Sequence, residues 1–242
     1  MKPFASLIPK AARASIKRLL YRFSLTASQA GQDYWIFAEA FNEMQSGYFL
    51  DIGAHDGISL SNTYLLETKY KWTGLCIEAN PISFEKLRKN RRTTCVNTCL
   101  DQSEREVEFV LNDVLGGIAD RDVRNKDADT AALKTTKLKA RPLLSILEEY
   151  NAPRNIDYLS IDVEGAEERI LGGFDFQKHT FKTITIELPN EQLRGVFKSN
   201  GYILIREIPF LDCLYIHEDF VEQYHRNLFG FYEKKHFAIR WG

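Results

Sequence analysis

Hydrophobic residues in this chain fall into short runs that end on an acid, separated by segments with helical spacing. Tyr48-Phe49-Leu50 leads into Asp51, Gly74-Leu75-Cys76-Ile77 into Glu78, and Thr94 to Leu100 into Asp101. Ile156 to Ile161 before Asp162, and Thr183 to Ile186 before Glu187, repeat the arrangement. Each run is too short for a helix and continuous enough for a strand buried on both faces. The intervening periodicity predicts helices over about Gln32–Gln45, from Ser61-Asn62 to Tyr70, from Pro81 to Arg92 and from Pro142 to Tyr150. Two more follow, one after Val163-Glu164-Gly165 through Leu171 and one from Glu191 to Asn200, which Gly201 stops. Glu106 to Leu111 alternates and predicts a hairpin arm, and Tyr202–Arg206 with Cys213–Ile216 flank Pro209 as a closing hairpin. Strands alternating with helices predict an α/β fold with a mostly parallel sheet. Chain order then puts the acids at the carboxyl ends of the strands, where ligands bind in open α/β sheets.

Two stretches depart from the pattern. Residues 112–141, with Gly116-Gly117 and the run DRDVRNKDAD, read as an irregular insertion, equally a substrate loop or a solvated surface loop. Residues 1–27 form a basic N-terminal extension ahead of a domain spanning 28–242. There Ile8, Ala12, Ile16, Leu19, Leu20 and Phe23 recur at near-helical spacing among Lys10, Arg13, Lys17, Arg18 and Arg22. Such a helix suits packing on its own domain or on a second subunit of a homodimer. It also fits peripheral contact with an anionic membrane, or, ranked lower, a transit peptide.

Composition narrows the class. The chain's 242 residues, 44% hydrophobic and 27% charged, suit one globular domain with a full core. A net charge of −1 gives no nucleic-acid footprint, and no apolar run reaches the ~18–20 residues of a bilayer span. The four cysteines (Cys76, Cys95, Cys99 and Cys213) are sparse and mostly in apolar runs, which reads as free thiols in a reducing, cytoplasmic compartment. They lack zinc-site spacing.

The chemistry concentrates in GYFLDIGAHDG, Gly47 to Gly57. A strand, an acid and a turn carrying Gly53 and Gly57 describe the first β-turn-α unit of a nucleotide-binding domain. Glu78 follows Gly57 by 21 residues, the interval at which such folds place the acid that accepts hydrogen bonds from ribose hydroxyls. The third glycine of the dinucleotide fingerprint is missing, which counts against a nicotinamide oxidoreductase.

The run FLDIGAHDG, then GLCIEANP, then IDYLSIDVEGAEERIL resembles the FkbM family of methyltransferases, and SQAGQD upstream and SNT after the turn fit one branch of it. The resemblance covers roughly residues 28–217. It implies a class I, Rossmann-like fold: a seven-stranded, mostly parallel sheet with an antiparallel last strand and helices on both faces. It also implies S-adenosyl-L-methionine as cofactor and O-methylation of a hydroxyl-bearing small molecule or glycan. Carried onto this chain, Asp51, Gly53, Ala54, His55 and Gly57 form the cofactor loop, joined by Asn62 and Ala79. Glu78 takes the ribose, Asp101 faces the adenine amino group beside Cys99 and Leu100, and Asp162 lies nearest the sulfonium. Where amino-directed DNA methyltransferases carry a Pro-Pro-aromatic tetrad, Asp162-Val163-Glu164-Gly165 stands instead.

Removing a hydroxyl proton calls for a base or a metal ion. Asp162, Glu164 and Glu187 are the catalytic candidates. His55, in the glycine turn, suits the cofactor side or packing better. No dedicated metal-ligand set stands out, Mg²⁺ on Asp162 and Glu187 being the lesser alternative. Glu167 and Glu168 read as a solvated helix face, and Asp101 also fits a turn cap. Tyr202 and Phe210 suit core packing better than a sugar platform. A rival reading is a catalytically inactive module that binds cofactor or partner without turnover.

Overall fold

The structure, a computed structural model, describes residues 27–112, 116–119 and 134–237, with side chains through 229. The expected N-terminal helix, except Ala27, lies outside these residues, as do 113–115 and 120–133 of the expected insertion.

In chain order the strands are β1 Tyr48–Ile52, β2 Thr73–Glu78, β3 Thr94–Asn97, β4 Cys99–Leu100, β5 Arg105–Val110 and β6 Gly117–Ile118. They continue as β7 Thr135–Arg141, β8 Asn155–Ile161, β9 Thr180–Glu187, β10 Tyr202–Glu207 and β11 Asp212–His217. Seven of them form one sheet in the order β10-β11-β9-β8-β1-β2-β3, and only β11 runs against its neighbours. The chain leaves β1 toward β2 and β3 on one side and returns at β8 to build the other. Its topological switch point therefore lies between the carboxyl ends of β1 and β8, and a crevice opens there.

Alternation along the strands decides which face each side chain covers. Leu50, Ile52, Leu75, Ile77, Leu159 and Ile161 point into one core, closed by the helices Leu143–Glu149, Glu167–Leu171 and Glu191–Ser199. Phe49, Cys76, Tyr158, Leu214 and Ile216 point into the other, with the segment Trp35–Ala40 and the helices Tyr64–Tyr70, Pro81–Asn90 and Val221–Phe237. The expected helix over Gln32–Gln45 is shorter and partly a π-helix, Trp35–Ala40, in which Phe41 N–H reaches the Ile36 carbonyl at 3.0 Å. All six π-helical residues are buried, so this segment sits inside the core rather than across its surface.

Two expectations are corrected. The run Thr94–Leu100 is not one strand: it breaks at Thr98, and Cys99–Leu100 pairs with Ala140–Arg141 in a second sheet of order β4-β7-β5-β6. Asn97 Nδ2 anchors the break by donating to the carbonyls of Glu78 (2.8 Å) and Ala79 (3.1 Å). Nor is 112–141 irregular throughout, because Thr135–Arg141 is a full strand paired along β5. Lys137 and Lys139 face solvent while Ala140 is buried beside Phe109 and Ile118. The four cysteines are free, as expected. Among the described residues no helix is long and apolar enough to cross a membrane.

Candidate functional site

A cavity of about 330 Å³ opens at the switch point, the size of a pocket for a small organic ligand. Its floor is the turn after β1. Gly53 adopts φ +84°, and a Cβ there would lie 1.9 Å from the Asp162 carbonyl oxygen. Glycine is thus required for the ends of β1 and β8 to close on each other. The Gly53 and Ala54 amides donate to the Ile77 carbonyl at 3.0 and 3.1 Å, fixing the turn beside β2.

Glu78, at the end of β2, is aimed into the cavity by its own neighbours. The His55 amide donates to Oε2 at 2.8 Å and the Asn80 amide to Oε1 at 2.7 Å. Each oxygen keeps acceptor capacity for a further donor, the arrangement that suits two vicinal hydroxyls. Burial raises its pKa, and the two amides offset part of that.

Asp51 lies beneath the turn and is held from below. Thr63 Oγ1 donates to its Oδ2 at 2.5 Å, and Arg91 Nη1 lies 3.9 Å away. The Arg91 side chain is fully buried: its Nε donates to Glu67 at 2.5 Å, Nη2 to Thr63 and Nη1 to the Gly57 carbonyl at 3.2 Å. Gly57 does not line the cavity as expected. A Cβ there would meet Arg91 Cγ at 2.6 Å and Leu87 at 2.7 Å, so this glycine makes room for the arginine instead. Asn62 lines the wall and donates to Ser160 Oγ at 3.0 Å, which ties the loop to β8.

Beyond β8 the acids gather. The Asp162 carboxyl is open to the cavity, with protein on its other sides. Desolvation, then the charges of Glu187, Glu164, Asp212 and Glu167, push its pKa up to about 8. Glu164 lines the cavity from a left-handed backbone, φ 56°, before Gly165 at 110°. Glu167 is buried rather than solvated, a correction: its Oε1 accepts from the Val163 and Gly165 amides at 3.2 and 3.3 Å and braces that turn. Glu187 does not line the cavity, but it closes the cluster from β9. Asp162, Glu167 and Glu187 each bring an oxygen within 4.8 Å of the others, a spacing that fits a hard divalent cation.

The opposite end is less polar, lined by Cys99, Leu100, Phe109 and Ile170. Asp101 is not part of it. Breaking the strand at Thr98 carries Asp101 behind the lining, where Arg105 Nε (2.6 Å), Arg169 Nε (3.0 Å) and the Gln102 amide (2.8 Å) engage its carboxylate. Burial acts to raise its pKa, but the hydrogen bonds from the Gln102 amide and Arg105, with the charges of Arg169 and Arg105, outweigh it and hold the carboxyl below its ordinary value. In its place Arg169, positioned by Asp101, and Thr98 reach the lining.

The Methyltransferase FkbM domain model matches residues 51–204, well over half of the chain, from the end of β1 into β10. The chain belongs to the FkbM methyltransferase family. Among solved structures, methyltransferase FkbM from Methylobacillus flagellatus KT shares 18% identity at a TM-score of 0.50, over 82% of this chain and 50% of that one. That likeness shows the class I methyltransferase fold, and this chain spans half the length of the solved relative. The human methyltransferase 10 domain containing protein is similar at 12% identity and a TM-score of 0.42, over 84% of this chain and 95% of that one. No curated protein sequence matches.

The structure also explains a motif at the edge of this FkbM domain, SQAGQD. Fully buried Asp33 accepts from Ser28 Oγ at 2.5 Å and from the Ala27 and Tyr34 amides at 2.7 and 2.8 Å. Ser28 forms a bridge with Leu60, and Gln32 Nε2 donates to Asp212 Oδ2 at 2.5 Å. The segment therefore crosses from the β1 loop to β11, with Gln29 facing the cavity. Sequence reading missed Arg91, Glu67, Arg169 and Gln29. For Arg91 the only local signal is its place in a basic run, KLRKNRR, that looks solvated.

Proposed function

We infer that the chain transfers a methyl group from S-adenosylmethionine to a hydroxyl, on a glycan sugar or glycosylated metabolite. One observation carries the reading. A single cavity runs from Glu78, whose two oxygens are pre-set by backbone amides, to Asp162 in a cluster of acids. The residues fit the cofactor: an acceptor pair for the ribose, apolar Cys99, Leu100 and Phe109 for the base, and negative charge where a sulfonium would lie. When bound, S-adenosylmethionine supplies a methyl group on a positively charged sulfur that departs as a neutral thioether.

The chain's own work is to position and to take a proton. Asp51 and the Gly53–Ala54 backbone support the methionine end, and Glu78 fixes the ribose, so that acceptor oxygen, methyl carbon and sulfur can align for in-line displacement. Asp162 would accept the hydroxyl proton as the acceptor oxygen takes the methyl group. Glu187 and Glu164 keep that carboxylate basic enough to accept it. A divalent cation on Asp162, Glu167 and Glu187 would polarise the hydroxyl instead. Glu167 already spends one oxygen on backbone amides, which favours the proton-transfer role.

Two measurements test this reading. Glu78→Gln should bind S-adenosylhomocysteine about 10–100-fold more weakly by calorimetry, because hydrogen bonds to a charged carboxylate contribute about 1.5–3 kcal/mol. Equal affinity would remove the ribose assignment. The ratio of S-adenosylmethionine to S-adenosylhomocysteine affinity should rise with pH and level off above about 8. The ionised Asp162 attracts the sulfonium but not the neutral thioether, and a cation that binds beside it favours its deprotonation. In Asp162→Asn the ratio should be flat with pH; a flat ratio in the wild type would separate this carboxyl from the sulfur.

A further inference from the structure

Large apolar residues in the β1 loop, which lines the cavity, and at the hairpin end of the sheet stand in a backbone conformation that such residues rarely adopt. Leu60, Leu188 and Phe210 have φ of 56°, 36° and 62°, and they are 61%, 43% and 91% exposed. A left-handed backbone under a bulky side chain is strained, and strain of this kind persists where the surrounding structure imposes it. Here the imposing contacts are visible. Ile208 N–H donates to the Asp212 carbonyl at 2.7 Å and Leu211 N–H to the Ile208 carbonyl at 3.0 Å, which pinches the hairpin and turns Phe210 outward. Leu188 N–H donates to the Leu211 carbonyl at 3.1 Å, placing Leu188 beside that turn and directly after Glu187. Leu60, in the cavity lining, is held by its bridge to Ser28, and the segment from Ser28 continues to Gln32, which binds Asp212. This segment ties the Leu60 loop to β11, which pairs with Glu187 next to Leu188, and Glu187 meets Asp162 in the acid cluster.

We propose that Phe210, flanked by Leu188, is the acceptor platform, and that it takes the C–H face of an uncharged sugar ring. The proposal rests on the O-methyl transfer reading and names the substrate class of that same site. Charge selects this occupant. Asp162, Glu164 and Glu187 offer acceptors to hydroxyl donors at the ring edge and repel an anionic acceptor. The arginines nearest the hairpin are already paired: Arg194, on the helix Glu191–Ser199, with Glu207 at 3.1 Å, and Arg206, on β10, with Glu39 at 3.0 Å. A flat apolar face edged by hydroxyls matches an aromatic ring set beside carboxylates. Core packing, the role the sequence favours for both aromatics, holds for Tyr202, whose hydroxyl accepts from the Phe181 amide at 3.0 Å, and fails for Phe210.

The test reads binding without turnover. Saturation-transfer NMR on the full chain, with S-adenosylhomocysteine present, would compare methyl glycosides of neutral hexoses, methyl glucuronide and cyclohexanol. Ring C–H saturation is expected for the neutral glycosides, with the glucuronide weaker. Phe210→Ala should weaken glycoside binding about three- to tenfold, the range of one aromatic contact, while Phe210→Trp retains it. Unchanged S-adenosylhomocysteine affinity in both variants would show that the fold and cofactor site are intact. The platform is overturned if Phe210→Ala binds the glycosides as wild type does, if the glucuronide is preferred, or if cyclohexanol binds and no glycoside does. Failure of the methyl-transfer reading looks different: glycosides bind through Phe210, yet no labelled methyl reaches any of them.

Discussion

Asp162→Asn should lower the rate of methyl transfer about 10²–10⁴-fold, the range for removing a general base, while S-adenosylhomocysteine still binds. The same change should leave the protein as stable as before or more so. In the fold this carboxyl has a pKa of about 8 against an ordinary 3.8, so the native state holds its proton more tightly than the unfolded chain does. For a group raised in this way, stability is fully present at low pH and declines as pH climbs from about 3.8 to 8. Asparagine keeps the shape and removes the charge, so that part of the decline should vanish. Urea unfolding at pH 6 and 8.5 beside single-turnover assays with labelled cofactor would show activity and stability moving in opposite directions. Activity within threefold of wild type would remove Asp162 from the proton-transfer step. Loss of both activity and stability would mark it as structural.

Arg91→Met should cost about 3–5 kcal/mol of folding free energy, the typical penalty for breaking a buried ion pair from one side. Arg91 is fully buried between Asp51 and Glu67, whose side chains are themselves only 6% and 8% exposed. Methionine fills much of the volume under the Phe49 and Tyr64 rings, which the guanidinium faces at 5.4 and 6.0 Å. It leaves two carboxylates buried without their cation. A fall in the urea midpoint at constant m-value would report the stability term. Because Arg91 also holds the Gly57 carbonyl, cofactor affinity should drop in whatever fraction remains folded. A variant with wild-type midpoint and affinity would show that the loop stands without this support.

These two residues illustrate what a linear reading reaches. Asp162 and Glu78 are legible because each ends an apolar run, and strand geometry converts that position into a place at the sheet's carboxyl edge. Arg91 is not legible. Whether Arg91, the middle of the three arginines in KLRKNRR, points to water or inward depends on the phase of the Pro81–Asn90 helix and on Phe49, Tyr64 and Glu67 from elsewhere in the chain. Glu167 and Glu168 look alike in sequence. Only the left-handed turn at Glu164-Gly165 rotates one of them under the loop. Asp101 has the strand-end position that identified its neighbours, yet Asn97 breaks the strand and hands Asp101 to two arginines.

The sequence by itself determined the strand-helix alternation of the main sheet, its mostly parallel run, the glycine turn at Gly53 and the acids at the strand ends. All of these follow from local periodicity and spacing, which the chain carries in each short segment. Tertiary structure alone decided which acids face the cavity and which are tied up by arginines. It also decided where Gly57 spends its missing Cβ, and that Phe210 stands in solvent rather than in the core. Those outcomes turn on contacts between segments far apart in the chain, where the energy of a buried charge or an exposed ring is set by neighbours that no local pattern names.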